Sequence, residues 1–436
     1  MKPNQLALTL ERGFTLIEII VALAISMVLM AALASIFAQS VNVREKIDRD
    51  GQKIETARYS LDTLSEDIRL AGYFGNYSPP TTGSAPADWK YADPCSTTGG
   101  NPLPGWNATT SPVQVPFPIF VYEAHGTGSL PAALVGVAGC LDNYRAGTDV
   151  LVVRRASTNV VTAGGAGYVA NETYLQVSSC SEGPLDTQPF HAISTTTSSD
   201  FTMHKLGCSV TTPGPNALLR KLITRIYFIS TCNDCTGAGD GIPTLKLVEL
   251  GAVGGVLKVK ENIRTIAPGV ENMHIELGID GVGTPWVAGS VVAASSVRYY
   301  GDIFYTTTAG GTTGTTPPVH TTGTASDGGV DWIWTGTVDG ATDTYTLSNE
   351  NPYTGSAGTH VTGMRQDSAG EDRWEDVVAV KLFLVTRDLQ PTRSYTDSKS
   401  FVMGRKTLAA ASDAYRRRLT SSTIKVVNMS ARREKP

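Results

Sequence analysis

The sequence predicts an α+β protein: a long N-terminal helix laid against an antiparallel, β-rich domain. Three observations carry that prediction. From Phe14 to Ala38 there are 25 residues with one charge, Glu18, and neither Pro nor Gly. From Ile54 to Ala71 apolar residues recur at alternating steps of three and four, the period of a helix with one apolar stripe. Beyond Gly72 the chain turns to short β-branched runs separated by Gly, Pro, Asn and Asp, which read as strands and turns.

Taken in order, residues 1–13 form a short polar leader, MKPNQLALTLERG. The apolar stretch behind it would span about 37 Å as a helix, enough to cross a bilayer. Lys2 and Arg12 are expected to set the leader on the cytoplasmic side and the rest outside the cytoplasmic membrane. A secretory signal peptide has a shorter, uncharged core with its small-residue cleavage site behind it, and here Gly13 precedes the core. Glu18 needs a reason, because a carboxylate in a hydrophobic span costs roughly 2.5–3.5 kcal/mol. Residues 44–69 carry charge of both signs, and the stripe Ile54, Ala57, Leu61, Leu64, Ile68 and Ala71 would seat this second half of the helix on a globular domain. Gly72 ends the helix and Gly51 allows a bend.

Residues 77–118, rich in Pro, Thr and Gly, read as a long loop. Strands are expected at 117–125 and 148–157, then at 222–231 and 244–250 as a hairpin around Cys232 to Gly241. In residues 270–279, VENMHIELGI, the alternation sets Ile275, Leu277 and Ile279 on one face and His274 and Glu276 on the polar other. Residues 377–386 are nearly continuously apolar and should be a central strand buried on both faces. Asp413 to Arg418 reads as a helical turn and 420–428 as the last strand. Between about Val282 and Arg373 lies a Thr/Gly-rich insert. Within it, 306–318 is low in complexity and reads as flexible, and 330–347 reads as a hairpin turning at Asp339-Gly340, with Trp332, Trp334 and Tyr345 along it.

The formal net charge is −4, with 17 % charged residues. Residues 403–436 hold nine Lys or Arg against Asp413 and Glu434. That basic end is either a contact for an acidic neighbour or a solvated edge strand. An acidic chain with its basic cluster at the terminus gives no support for nucleic-acid binding. All six cysteines, Cys95, Cys140, Cys180, Cys208, Cys232 and Cys235, lie beyond the apolar stretch, as expected of disulfides in an exported domain. Six cysteines allow 15 pairings and sequence does not choose among them; pairing of neighbours, 95–140, 180–208 and 232–235, is the expectation carried forward. Cys232-Asn-Asp-Cys235 has the spacing of a redox or zinc pair, but no second CxxC accompanies it and the six histidines are scattered. The acidic loops 232–241 and 279–283 lack the carboxylate register of a calcium site, so no metal and no cofactor are expected. No nucleotide loop, zinc-protease motif or nucleophile elbow appears, which points away from an enzyme.

Gly13, Phe14 and Glu18, inside GFTLIE, resemble the type IV prepilin signature: a leader ending in Gly, then Phe, then Glu four positions on. The resemblance implies that a prepilin peptidase cuts after Gly13 and methylates the new amine of Phe14, and that Glu18 pairs with the N-terminal amine of a neighbouring subunit. Two opposite charges in low dielectric attract strongly, and each alone is costly there. Residues 57–76, ending RLAGYFGN, resemble the same position in minor pilins of the PilW family. So do 147–155 (GTDVLVVRR), 241–250 (GIPTLKLVEL), 269–280 (GVENMHIELGID), 376–387 (DVVAVKLFLVTR) and the closing YRRRL-x4-IKVVN. The insert does not align with that pattern. The chain thus resembles a PilW-type minor pilin, which implies a pilin-like fold and a task in assembly. Implied partners are other minor pilins, the major pilin, the prepilin peptidase, the inner-membrane assembly platform and a large tip adhesin. Implied locations are the inner membrane, then the pilus or cell surface. A J-type pseudopilin of a type II secretion system shares the N-terminal signature but is considerably shorter, and an adhesin anchored by a prepilin-type helix is the remaining alternative. Major pilins with a helix-breaking Pro near their twenty-second mature residue differ from this chain, which has Ser35 there.

Overall fold

The computed structural model describes residues 15–77, 89–90, 94–95, 115–116, 118–123, 130, 134, 140–180, 186, 190–194, 197–253, 256–258, 263–281, 283–337, 339, 342, 344–346 and 376–430. The chain divides into two compact units, residues 1–54 and 55–436. Helix α1 is Leu16–Leu70, close to the expected bounds. Gly72 stops it: its φ is +75°, and its N–H turns away from the helix to donate to Arg154 O at 3.1 Å. In the second unit the helix buries Ala57, Ser60, Leu64, Asp67, Ile68 and Ala71. The expected stripe is therefore right at four positions, with Leu61 partly buried. Ile54 is exposed, and two polar residues, Ser60 and Asp67, share the buried face.

After α1 come β1 (Trp89–Lys90) and β2 (Val115–Pro116), paired in parallel; the rest of the expected 77–118 loop lies almost wholly outside the described residues. Next follow β3 (Ile119–Tyr122), β4 (Val150–Ala156), β5 (Thr173–Val177), β6 (Phe190–Ser194), β7 (Leu219–Ser230) and β8 (Thr244–Glu249). Then β9 (Gly251–Val253) pairs with β10 (Val256–Lys258), ahead of β11 (Ile263–Pro268) and β12 (Val270–Ile279). One antiparallel sheet runs β11-β8-β7-β4-β3, with β5 and β6 added along the first part of β7. The expected β7–β8 hairpin is part of it.

The insert region holds β13 (Thr284–Pro285), β14 (Val291–Val292), β15 (Val297–Tyr300), β16 (Ile303–Thr307), β17 (Gly311–Thr312), β18 (Thr324–Asp327) and β19 (Val330–Thr337). Five of them make a separate sheet, β13-β15-β16-β19-β18, around a small core of Val292, Tyr305, Val330 and Trp332. Two expectations fail here. Residues 330–347 do not fold back as one hairpin: β19 pairs with β16 and β18, whereas β20 (Thr344–Thr346) joins β12 in another sheet. The side chains of Trp332 and Trp334, on alternate positions of one strand, find packing in the insert's own core, which a turn at Asp339 would not supply; Gly340 is outside the described residues. Residues 306–318 are not featureless either, since they contain the end of β16 and β17. Gly311 explains why a Gly-rich run suits that place: a Cβ there would collide with Gly329 O, so only glycine permits the backbones to cross so closely.

The last sheet is β20-β12-β21-β24, with β21 (Val377–Arg387) between β12 and β24 (Arg417–Lys425). β21 is the expected central strand and is buried on both faces. A hairpin of β22 (Phe401–Met403) and β23 (Lys406–Leu408) precedes β24, and α2 (Val427–Ser430) follows it. β12 differs from expectation, since all ten of its residues are buried. Its supposedly polar face is covered: Glu276 accepts Arg405 N–H from the β22–β23 turn at 2.7 Å, and Met403 packs with Phe383 and Val385 nearby. Asp413–Arg418 is not a helical turn, because Arg417 already pairs in register with Arg387 of β21. One continuous core joins Leu64 and Ile68 of α1 to Val152 of β4, Tyr227 of β7, Ile275 of β12 and Leu382 of β21. Three disulfides, Cys95–Cys140, Cys180–Cys208 and Cys232–Cys235, link sequence neighbours with Cα–Cα distances of 5.6, 5.6 and 5.2 Å. Their separations are 45, 28 and 3 residues, so by chain entropy the first constrains the unfolded state by about 4 kcal/mol and the last by only about 2.

Candidate functional site

Gly13 and Phe14 lie outside the described residues, and the site becomes visible at Thr15. Thr15 N–H and Oγ1–H donate to Glu18 Oε2 at 2.9 and 3.0 Å, and Glu18 N–H donates back to Thr15 Oγ1 at 3.3 Å. Each side chain thus satisfies a backbone donor at the other's residue, which is a capping box. The pattern Thr-x-x-Glu stands in the sequence, but reading Glu18 only as an intermolecular partner hid it. Behind the cap the helix is apolar all round. Leu16 is 77 % exposed and Phe37 72 % exposed, and the large apolar residues between them are exposed on every side. The most apolar 18-residue window has a mean hydropathy of 2.7. Such a surface suits lipid or the helices of neighbouring subunits. Ser26 and Ser35 do not interrupt it, because their hydroxyls donate to Ala22 O at 2.7 Å and Ala32 O at 2.8 Å of the same helix.

The second half of α1 is fixed by a buried charge that sequence reasoning missed. Asp67, 2 % exposed, accepts two hydrogen bonds from Arg225 of β7 at 2.7 and 2.8 Å and two from Arg155 of β4 at 3.2 and 3.3 Å. The hydroxyl of Tyr227, also on β7, donates to the same carboxylate. Alternation along β7 puts positions 225 and 227 on one face, so helix and sheet meet through that face. Arg225 also donates to Glu249 of β8 at 2.7 Å, and Arg264 of β11 reaches the same Glu249 oxygen at 2.8 Å. Burial alone would lower the Arg225 pKa, but the hydrogen bonds and charges of Asp67 and Glu249 raise it. Burial pushes the Tyr227 pKa up, and the Asp67 charge adds to that.

Two further clusters tie the second half of the domain together. Arg417 donates to Asp413 at 2.6 Å, to Asp397 at 3.2 Å and to Glu271 of β12, which also receives Arg145 at 2.9 Å. Arg416 lies 4.2 Å from the Tyr395 ring centre. The basic end is therefore partly consumed inside the domain, while exposed Arg418 and Lys425 sit on the edge strand β24; residues 431–436 are outside the described residues. In the other cluster His274 Nδ1 lies 2.7 Å from Asp149 Oδ2, both fully buried, and Lys406 Nζ is 3.9 Å from Asp149 Oδ1. Glu123, beside this group, has its pKa pushed up to about 8 by burial first and then by the Asp149 charge; Lys406 opposes the shift and Glu276 adds to it. Between pH 4.5 and 8 the unfolded chain loses a proton that the folded one keeps, so stability falls as pH rises through that window. Glu123→Gln is expected to flatten this fall, so at pH 8 the variant should melt above wild type in a thermal scan. Equal melting curves across the window would contradict the assignment.

In the loop 232–241, Asp240 accepts the N–H groups of Asn233, Asp234 and Ile242 at 2.9 to 3.0 Å, and Asp234 accepts Thr236 N–H at 3.0 Å. These carboxylates serve the turn. Among the described residues no group of three or more His, Cys, Asp or Glu could hold a metal ion.

The segments that resembled a family at the outset are those that hold one another. Arg69 to Gly75 ends α1, residues 147–155 bring Asp149 and Arg155, 269–280 brings Glu271, His274 and Glu276, and the YRRRL run brings Arg417. Comparison with known families takes in two of these segments, 376–387 and the closing YRRRL-x4-IKVVN. Residues 329–428 match the family described as Type IV Pilus-assembly protein W, and residues 8–34 match the Prokaryotic N-terminal methylation motif. The first match opens at residue 329, inside the insert that did not align with the family pattern in the sequence. No curated protein matches the chain.

Proposed function

We propose that this chain, a PilW-family type IV pilus assembly protein with a prepilin methylation motif, is a minor pilin that primes polymerisation of the major pilin and ends near the fibre tip. The prepilin peptidase cuts after Gly13 and methylates Phe14. The first half of α1 then waits in the inner membrane, its N-terminus toward the cytoplasm. Other minor pilins gather around it, and Glu18 draws each neighbour into register by pairing with an N-terminal amine. The work is assembly, not catalysis.

The observation that carries this reading is the surface of α1: apolar on every side from Leu16 to Phe37, with one acid next to its start. A carboxylate already capped by Thr15 can be kept in a hydrophobic setting until a cationic amine replaces or joins that cap. A deletion strain provides the test. Surface pili and twitching are expected to be lost, secretion to stay intact, and the gene in trans to restore piliation. Normal pili with failed secretion would assign the chain to a secretion pseudopilus. Normal pili with failed attachment would make it an adhesin.

A further inference from the structure

The Cys232–Cys235 bridge lies in the turn between β7 and β8, and its sulfurs have unusual company. Lys246 of β8, itself buried, directs its ammonium at Cys235 Sγ from 3.2 Å. The Ser230 hydroxyl is 3.6 Å from that sulfur and 3.8 Å from Cys232 Sγ, which the Thr231 hydroxyl approaches to 3.7 Å. A disulfide sulfur is a weak acceptor and returns little to an ammonium that has lost its hydration. A thiolate in the same place would supply a full opposite charge. The surroundings therefore favour the reduced pair over the oxidised one.

The turn is also held without its bridge. Asp240 fastens the N–H groups of Asn233, Asp234 and Ile242, and Asp234 fastens Thr236. The bridge spans only three residues, so it contributes least of the three to restricting the unfolded chain. Asp234, Asp240 and Asp142 face Lys246 and oppose a thiolate; Lys246 is the cation set among them.

We propose that Cys232-Asn233-Asp234-Cys235 is a reversible thiol–disulfide exchange site that takes a dithiol as co-substrate, with Lys246 holding the Cys235 thiolate. In the reducing direction a thiolate of the dithiol attacks Cys235 Sγ, the half-buried sulfur, since Cys232 is buried. The electron pair of the S–S bond passes to Cys232 Sγ, which leaves and takes a proton. The second thiolate of the dithiol then attacks its own partner sulfur in the mixed disulfide and expels Cys235 as a thiolate against Lys246. Two electrons enter the protein pair, and the dithiol becomes a disulfide.

Equilibrating the full-length protein in detergent with graded mixtures of reduced and oxidised dithiothreitol tests this. Free thiols are then alkylated and located by peptide mass mapping. Cys232 and Cys235 are expected to open at ratios that leave Cys95–Cys140 and Cys180–Cys208 closed. Lys246→Met should raise the ratio needed about tenfold, the effect of one unit in thiol pKa, and Lys246→Arg should largely restore it. In wild type, iodoacetamide labelling of Cys235 against pH should have its midpoint below the usual thiol value of about 8.5. Opening of the pair only together with the other two bridges would overturn the proposal. So would a Lys246→Met midpoint equal to wild type. Should that variant not fold, a labelling midpoint at or above the usual value decides against it.

Discussion

Asp67→Ala is expected to destabilise the protein by about 3–5 kcal/mol, the cost of leaving buried cations without their counter-charge. Arg155 and Arg225 would keep side chains only 11 % and 23 % exposed while losing the carboxylate they share. Tyr227 would lose its acceptor. Arg225 retains Glu249, so the loss of counter-charge weighs most on Arg155. Asp67→Asn, which keeps the shape and one acceptor oxygen, should fall between Ala and wild type. Asp62→Ala is the control. Its carboxylate is 74 % exposed and faces Arg58 at 3.8 Å, and an exposed helical pair of this kind is worth about 0.5 kcal/mol or less. Denaturant unfolding of the three variants measures the differences. Equal midpoints for Asp67→Ala and Asp62→Ala would show that the cluster does not hold the helix.

Glu18→Ala is expected to leave the chain in the membrane but nearly absent from fibres. An amine buried in an apolar bundle without its carboxylate costs about 3–5 kcal/mol, so incorporation should fall about a hundredfold or more at 1.4 kcal/mol per factor of ten. The capping box complicates a simple reading, because the same substitution removes an acceptor from Thr15 N–H. Thr15→Ala separates the two effects. It strips the cap at about 1 kcal/mol while leaving the carboxylate for a neighbour, so it should reduce incorporation far less. Immunoblots of sheared fibres against membrane fractions give the ratio. Equal losses in the two variants would mean that Glu18 acts only as a cap.

The long helix was legible because its two halves carry unlike patterns, an unbroken apolar run and then a single stripe. The strands β7 and β8 were legible because apolar, β-branched runs flank a turn, β12 because its residues alternate, and β21 because it is almost continuously apolar. What stayed hidden was the company of charged residues. Asp67 lies on the buried face of a helix whose other face is richly charged, and nothing local marks it as the charge that Arg225 will meet 158 residues later. His274 and Glu276 looked like a solvated face because alternation reports one sheet only; a hairpin near residue 404 covers that face, and no pattern inside β12 foretells it. The insert misled for a related reason. Trp332 and Trp334 stand along a run that suggested a hairpin turning at Asp339-Gly340, whereas the strands beside them are β16 and β18. The capping box was visible throughout as Thr15 to Glu18, and was overlooked because a stronger family motif claimed the same glutamate.

The most direct test is mass spectrometry of the mature N-terminus, purified from cells with an active prepilin peptidase. The account predicts a chain that starts at Phe14 and carries one methyl group on its amine. A chain that still starts at Met1 in those cells would contradict it.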